Sequence, residues 1–156
     1  MITNDIKKII KKALIEDMGK GDITTNAIVP QKKMALAKLI AKDYGVLAGI
    51  EITKYVFILL DKNIKWTAKL SDASTLIPGN IIAEISGPAK SILTAERTAL
   101  NFLQKLSGIA TEVFNFTKKI KPFRAKILDT RKTTPLLRTL EKYAVKVGGG
   151  FNHRFG

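Results

Sequence analysis

The sequence predicts an α+β protein in two parts. Three observations carry that reading: short apolar runs punctuated by turn residues between Lys33 and Leu93, an intervening stretch from Ile50 to Leu60 with helical periodicity, and a helix–strand–helix order after Thr94. Hydrophobic residues make up 46% and charged residues 26% of 156, a globular profile with enough apolar surface for a core. The change of pattern puts a division near residues 107–111, giving one domain over 1–107 and a second part over 108–156.

Asn4 or Asp5 is placed to cap a first helix whose apolar residues Ile6, Ile9, Ile10, Ala13 and Leu14 share one face, with lysine pairs opposite. Met18 to Asp22 reads as its end, and Pro30 as a further loop. Strands are expected over 34–41, 45–48, 64–70, 81–85 and 89–93, separated by Asp43-Tyr44-Gly45, Pro78-Gly79-Asn80 and Gly87-Pro88. A sheet with helices on one face is the simplest way to bury these runs. Thr94 is the expected cap of a long helix burying Ala95, Ala99, Phe102, Leu103 and Leu106. Gly108 is expected to break or bend it, and Pro122 follows a second helical stretch over 109–120. Ala125 to Leu128 reads as a short strand. Pro135 suits the first turn of a last helix running to about Val147, which Gly148-Gly149-Gly150 ends.

Lysine and arginine outnumber aspartate and glutamate 27 to 13, a formal net charge of +14. Nucleic-acid binding, attraction of small polyanions and compositional drift toward lysine all produce such an excess. The lysine pairs are dispersed and not interleaved with stacking aromatics, so a field that draws phosphorylated ligands fits better, with drift supplying part of the excess. No run is apolar over the about eighteen residues of a membrane span, and the first residues read as a cytoplasmic start rather than a leader. The absence of cysteine excludes disulfides, thiolate metal sites and cysteine nucleophiles.

Three segments carry candidate chemistry. Asp129-Thr130-Arg131-Lys132-Thr133-Thr134-Pro135 follows a strand and precedes a helix, the place where α/β barrels hold functional side chains. Arg131 offers a planar fork for a carboxylate or phosphate, and Lys132 a compact charge beside it. Asp129 reads as an ion-pair partner that orients these two cations. A solvated turn stays open as the alternative. In Gly148-Gly149-Gly150-Phe151-Asn152-His153-Arg154, the glycines permit a sharp turn or a close approach to a ligand. Asn152, His153 and Arg154 follow as donors, and a structural or merely exposed histidine fits equally well. Arg97 lies in the first turn of the expected long helix, where a cation is mildly unfavourable, although an ordinary exposed residue accounts for it too. Asp22, Asp43 and Asp129 form no metal-binding spacing, and one histidine without cysteine excludes the usual zinc sets.

Taken in order, five segments resemble the quinolinate phosphoribosyltransferase family. They are Ala13-Leu14-Ile15-Glu16-Asp17 with Gly21-Asp22-Ile23-Thr24; Thr94-Ala95-Glu96-Arg97-Thr98-Ala99-Leu100-Asn101; Leu106-Ser107-Gly108-Ile109-Ala110-Thr111; Asp129 to Pro135; and Glu141-Lys142-Tyr143-Ala144-Val145 through the glycines to Arg154. The resemblance implies an N-terminal α/β open sandwich followed by the first elements of an incomplete α/β (TIM-like) barrel. It implies reaction of quinolinate with phosphoribosyl pyrophosphate, in the presence of Mg2+, to give nicotinate mononucleotide, pyrophosphate and CO2. It makes Arg131, Lys132, His153 and Arg154 substrate-binding, and has Arg97 reach the neighbouring site of a homodimer or larger assembly. No metal ligand and no catalytic residue is assigned within the chain.

Two departures from the family pattern stand out. Leu136 occupies a position where the family usually has glycine, which predicts a more crowded first turn of the last helix. A barrel of this class needs about 200–250 residues, and the acidic residues and lysine that complete the family's site have no counterpart here. The expectation is a chain not competent as an enzyme by itself. Alternatives are a related phosphoribosyltransferase with another ring substrate, a decayed gene product serving as a dimerisation module, and a basic nucleic-acid-binding protein.

Overall fold

The computed structural model describes residues 2–19, 21 and 23–155, so the expected turn through Lys20 and Asp22, and the question of a metal ligand at Asp22, lie outside the described residues. The first helix, α1, spans Asn4–Met18 and buries Ile6, Ile10 and Leu14, the i, i+4, i+8 stripe that its sequence presents. Its cap is Thr3 rather than Asn4 or Asp5, since Thr3 Oγ1 accepts the Ile6 N–H at 3.3 Å. Asp5 instead sits in the first turn, where its charge suits the helix dipole. A short helix α2 (Ile23–Ile28) follows, in a stretch to which the sequence pattern assigned no element.

Strands β1 (Met34–Ile40), β2 (Gly45–Val46), β3 (Lys65–Ala68), β4 (Thr75–Leu76) and β5 (Ile81–Pro88) form two small antiparallel sheets. One runs β1-β5-β3, and the other pairs β2 with β4. Between β2 and β3, α3 (Ile50–Leu60) matches the helical periodicity of its sequence and buries Ile52, Val56 and Phe57. These side chains join Ile85 of β5 and Ile92, Ala95 and Ala99 of the next helix in the main core.

That helix, α4 (Ala89–Ile120), differs from expectation both at its start and at Gly108. It starts directly after β5, so residues 89–93 are helical rather than a strand and Thr94 is internal. Pro88 ends the ladder, and Ala89, Ile92 and Ala95 bury a helical stripe that a two-residue alternation would have split between two faces. It also passes Gly108 without a break, so the expected division near residues 107–111 falls inside a continuous helix. Ser107 Oγ accepts the Ala48 N–H at 3.1 Å and Thr111 Oγ1 accepts the Val46 N–H at 2.9 Å. These bonds flank Gly108 and tie α4 to β2 and the segment after it, outweighing the about 1 kcal/mol that glycine costs inside a helix.

The last helix, α5 (Arg138–Val147), begins three residues later than Pro135 suggests. Leu136 adopts φ +66°, a left-handed conformation incompatible with a helical turn, and Leu137 N–H closes a turn onto Thr134 O at 3.0 Å. In place of a strand over 125–128 there is one parallel bridge, Leu128 to Phe151, with Phe151 N–H on Ile127 O at 2.9 Å and Asp129 N–H on Phe151 O at 3.0 Å. Among the described residues no helix is long and apolar enough to cross a membrane.

Candidate functional site

Parallel pairing sends two chain segments out of the bridge in the same direction: Asp129 to Lys132 after Leu128, and Asn152 to Arg154 after Phe151. The glycines make this possible mainly by packing. Gly148 lies against Ala110 of α4 so closely that a Cβ would meet Ala110 O at 2.3 Å, and a Cβ on Gly150 would meet Val145 and Val113 side chains at 2.8 and 2.9 Å. Gly149, with φ +87°, supplies the turn.

Just beyond the bridge sits a buried ion pair. Lys142 of α5 reaches Asp129 Oδ1 at 2.5 Å, with 1% and 2% of the two side chains exposed. Lys142 Nζ also donates to His153 O at 3.0 Å and lies 4.7 Å from the Phe155 ring centre, so its donors are occupied. Asp129 Oδ1 accepts the His153 N–H at 2.8 Å, and Oδ2 accepts the Asn152 side-chain amide, which also donates to Lys142 O, both at 2.9 Å. Burying two charges costs heavily unless every remaining donor and acceptor is matched, and here they are. Asp129 therefore pairs with Lys142, not with Arg131 and Lys132 as its place in the sequence suggested.

The loop after Asp129 is held by its backbone and its threonine hydroxyls, which leaves its cations free. Arg138 donates to Thr133 Oγ1 at 3.3 Å, to Arg131 O at 3.3 Å and to Phe155 O at 3.4 Å, joining the loop to the last segment. Glu141 accepts the Thr134 N–H at 3.2 Å, and Lys105 of α4 bonds both Glu141, at 3.1 Å, and Thr134 Oγ1, at 3.1 Å. Burial pushes the Glu141 carboxyl up, but the bonds from Thr134 and Lys105 outweigh it and hold the group below the usual carboxylate range. Among the described residues, the side chains of Arg131, Lys132, His153 and Arg154 are exposed and make no hydrogen bond or ion pair.

Arg97 is not part of this cluster. Its guanidinium pairs with Asp17 of α1 at 3.1 Å, in a cleft shared with Asn101 and Lys105. Arg97 lies eight residues before Lys105, about 12 Å along the helix axis. Sequence reasoning missed Lys142, Arg138 and Glu141 as the supports of the loop. Lys142 is thirteen residues from Asp129, and no local pattern joins them.

Fold and site together define a mixed protein of helices and small sheets that presents unpaired cations at the common end of two parallel segments. The chain belongs to the quinolinate phosphoribosyl transferase family: the model of its N-terminal domain matches residues 22–107 and that of its C-terminal domain residues 109–156. A probable nicotinate-nucleotide pyrophosphorylase [carboxylating] of Bacillus subtilis (strain 168) is 45% identical over 151 residues, covering 97% of this chain and 52% of the relative. Quinolinate phosphoribosyltransferase [decarboxylating] 1 of Nicotiana glauca is 41% identical over 155 residues, covering 99% of this chain and 44% of the relative. The crystal structure of NadC from Streptococcus pyogenes superposes with a TM-score of 0.94 at 46% identity, covering 97% of this chain and 54% of that one. The chain thus spans about half the length of the curated relatives it matches.

Proposed function

We propose that this chain supplies the N-terminal half of a carboxylating nicotinate-nucleotide pyrophosphorylase, acting in the cytoplasm on quinolinate and phosphoribosyl pyrophosphate. The observation that carries the reading is the set of four exposed, unpartnered side chains, Arg131, Lys132, His153 and Arg154, at the common end of two parallel segments. Arg131 and Lys132 receive carboxylate or phosphate oxygens. His153 and Arg154 provide a second set of donors on the neighbouring segment. Transfer from a pyrophosphate-activated ribose builds positive charge at the sugar and negative charge on the leaving group. The protein's share of the work is therefore to hold the ring in place and neutralise that leaving group, which guanidinium and ammonium groups do without titrating near neutral pH. Release of CO2 leaves charge on the ring, and the same cations stabilise it.

The parallel bridge is read as the start of an α/β barrel whose remaining strands would lie beyond it. Leu128 and Phe151, the bridged residues, are 54% and 49% exposed, unlike the strands of parallel sheets, which are covered on both faces. Arg97 is assigned to the neighbouring subunit's site in a homodimer, which requires it to leave Asp17. Mg2+ would accompany the pyrophosphate. The residues present do not fit it: among those described no three acidic or histidine side chains converge, and Asp129 is already committed to Lys142, Asn152 and His153. No step is assigned through the metal.

The test is complementation. Formation of nicotinate mononucleotide from the two substrates is measured with this chain alone, and with the chain co-expressed with the C-terminal half of the Bacillus subtilis relative. Activity is expected only in the combination, and Arg131→Ala abolishes it. A reconstituted assembly that binds neither substrate overturns the proposal.

A further inference from the structure

The four exposed side chains of the proposed site sit on segments joined by a single bridge, too little pairing to fix their relative positions. The buried pair does what a sheet ladder would otherwise do. Asp129 precedes Arg131 on one segment, and its carboxylate takes the backbone N–H of His153 and the side chain of Asn152 on the other. Lys142 enters from α5 and holds that carboxylate and the His153 carbonyl at once. Both backbone groups of His153 are therefore clamped by the same ion pair, and the adjacent Arg154 leaves it in a fixed direction.

We infer that Lys142 and Asp129 are positioning residues, which hold Arg131–Lys132 and His153–Arg154 in register for one anionic ligand without touching it. The inference rests on the anion-site reading of those four residues. Two features separate it from a purely stabilising role. A hydrophobic pair of similar volume would fill the space as well and avoid the desolvation of two charges, but it would leave the His153 N–H and carbonyl without partners. The pair also grips no backbone of α4 or the sheets, only the segments that carry the exposed cations.

The composition of the chain makes a clean experiment. His153 is the sole histidine, so its ring Hε1 proton gives one resolved NMR signal, and there is no cysteine, so Lys142→Cys creates a unique thiol. Quinolinate, and separately inorganic phosphate, are titrated into the chain while the His153 signal is followed. A saturable shift is expected in the unsubstituted chain, and Lys142→Met weakens it by about tenfold or more, the scale known for removing the orienting partners of metal ligands. Alkylating the Lys142→Cys chain with 2-bromoethylamine under denaturing conditions, then refolding, restores an ammonium at nearly the same reach and should restore the affinity. If Lys142→Met does not fold, Asp129→Leu/Lys142→Met removes both charges together and is expected to fold yet bind as weakly. Unchanged affinity in either variant overturns the positioning role and leaves the anion-site reading standing. No shift with either probe in the unsubstituted chain overturns the anion-site reading, and this inference with it.

Discussion

The contact between α4 and α5 places the candidate site, and it can be tested at a single atom. Gly148 has φ −73° and ψ 2°, a conformation alanine adopts freely, so Gly148→Ala adds no backbone strain. What it adds is a methyl group 2.3 Å from Ala110 O, 3.0 Å from Ala110 C and 2.9 Å from Val113 Cβ. Ordinary carbon contacts begin at about 3.5 Å, so α5 must retreat by roughly an ångström or the helix backbone must bend. Neither partner is a flexible side-chain end: Ala110 is fully buried in a 32-residue helix, and Leu140 and Ala144 pack α5 against the same core. Overpacking of this kind costs about 1–3 kcal/mol, and backbone contact puts it near the top of that range.

Two other glycines, Gly149 and Gly108, serve as controls because the same substitution acts there through different physics. Gly149→Ala meets only Thr117 Oγ1 at 3.8 Å, but at φ +87° it carries left-handed strain of about 1–2 kcal/mol. Gly108→Ala meets nothing within 4 Å inside α4 and should stabilise by about 0.5–1 kcal/mol through helix propensity. Urea melts of the three variants should therefore rank Gly148→Ala lowest and Gly108→Ala above the unsubstituted chain. For Gly148→Ala, a loss of about 3 kcal/mol corresponds to roughly 6–12 °C in melting temperature for a chain of this size. A Gly148→Ala midpoint within about 0.5 kcal/mol of the unsubstituted chain would refute the steric argument, since surface substitutions alone produce changes that small.

Leu136, at φ +66° and 77% exposed, holds a left-handed turn while burying little of its side chain. Leu136→Gly should therefore stabilise by about 0.5–1 kcal/mol after the extra freedom of glycine in the unfolded chain is subtracted, and a lower urea midpoint would show that the turn is not strained. Tyr143 has its phenol raised above its ordinary value, first by partial burial and then by the hydrogen bond to Asp72 and that carboxylate's charge. Because the folded value lies above the unfolded one, this contribution to stability is intact below about pH 10 and is lost as pH rises beyond it. Tyr143→Phe should flatten the fall of the urea midpoint above pH 10, and an unchanged alkaline slope would rule the phenol out as its source.

What the sequence makes legible is what short-range periodicity encodes. The buried stripe of α1 and the extent of α3 follow from apolar spacing alone. The start of α4 at Ala89 does not, because a run of small and apolar residues after Pro88 fits a strand as well as a helix until the sheet beneath is known. The passage of α4 through Gly108 depends on Ser107 and Thr111 bonding a segment 59 and 65 residues earlier, which no local window contains. The left-handed turn at Leu136 was legible only as a departure from glycine, and its effect, a helix delayed by three residues, required the backbone angle. For the site, the exposed residues Arg131, Lys132, His153 and Arg154 were readable as charge beside turn residues. Their supports were not, since Lys142 looks like one more surface lysine in a chain with 27 basic residues.

That contrast has a physical cause. Ligand-binding cations must stay unpaired, so they gather where the chain turns and where glycine and proline mark the sequence. Their supports must be bonded to the segments they hold, so they are drawn from whichever element reaches the same point in space. Here the reach comes from α4 and α5 together: Lys105 fixes Glu141 and Thr134, Arg138 joins Arg131 O to Phe155 O, and Lys142 joins Asp129 to His153. Apart from the Lys105–Glu141 bond between the helices, each ends on a backbone or side-chain group of the two exposed segments, and none uses the guanidinium of Arg131 or Arg154. The helices thus take over the work of a sheet ladder while leaving the exposed charges of the proposed site unspent, which is why one bridge suffices to hold the two segments together.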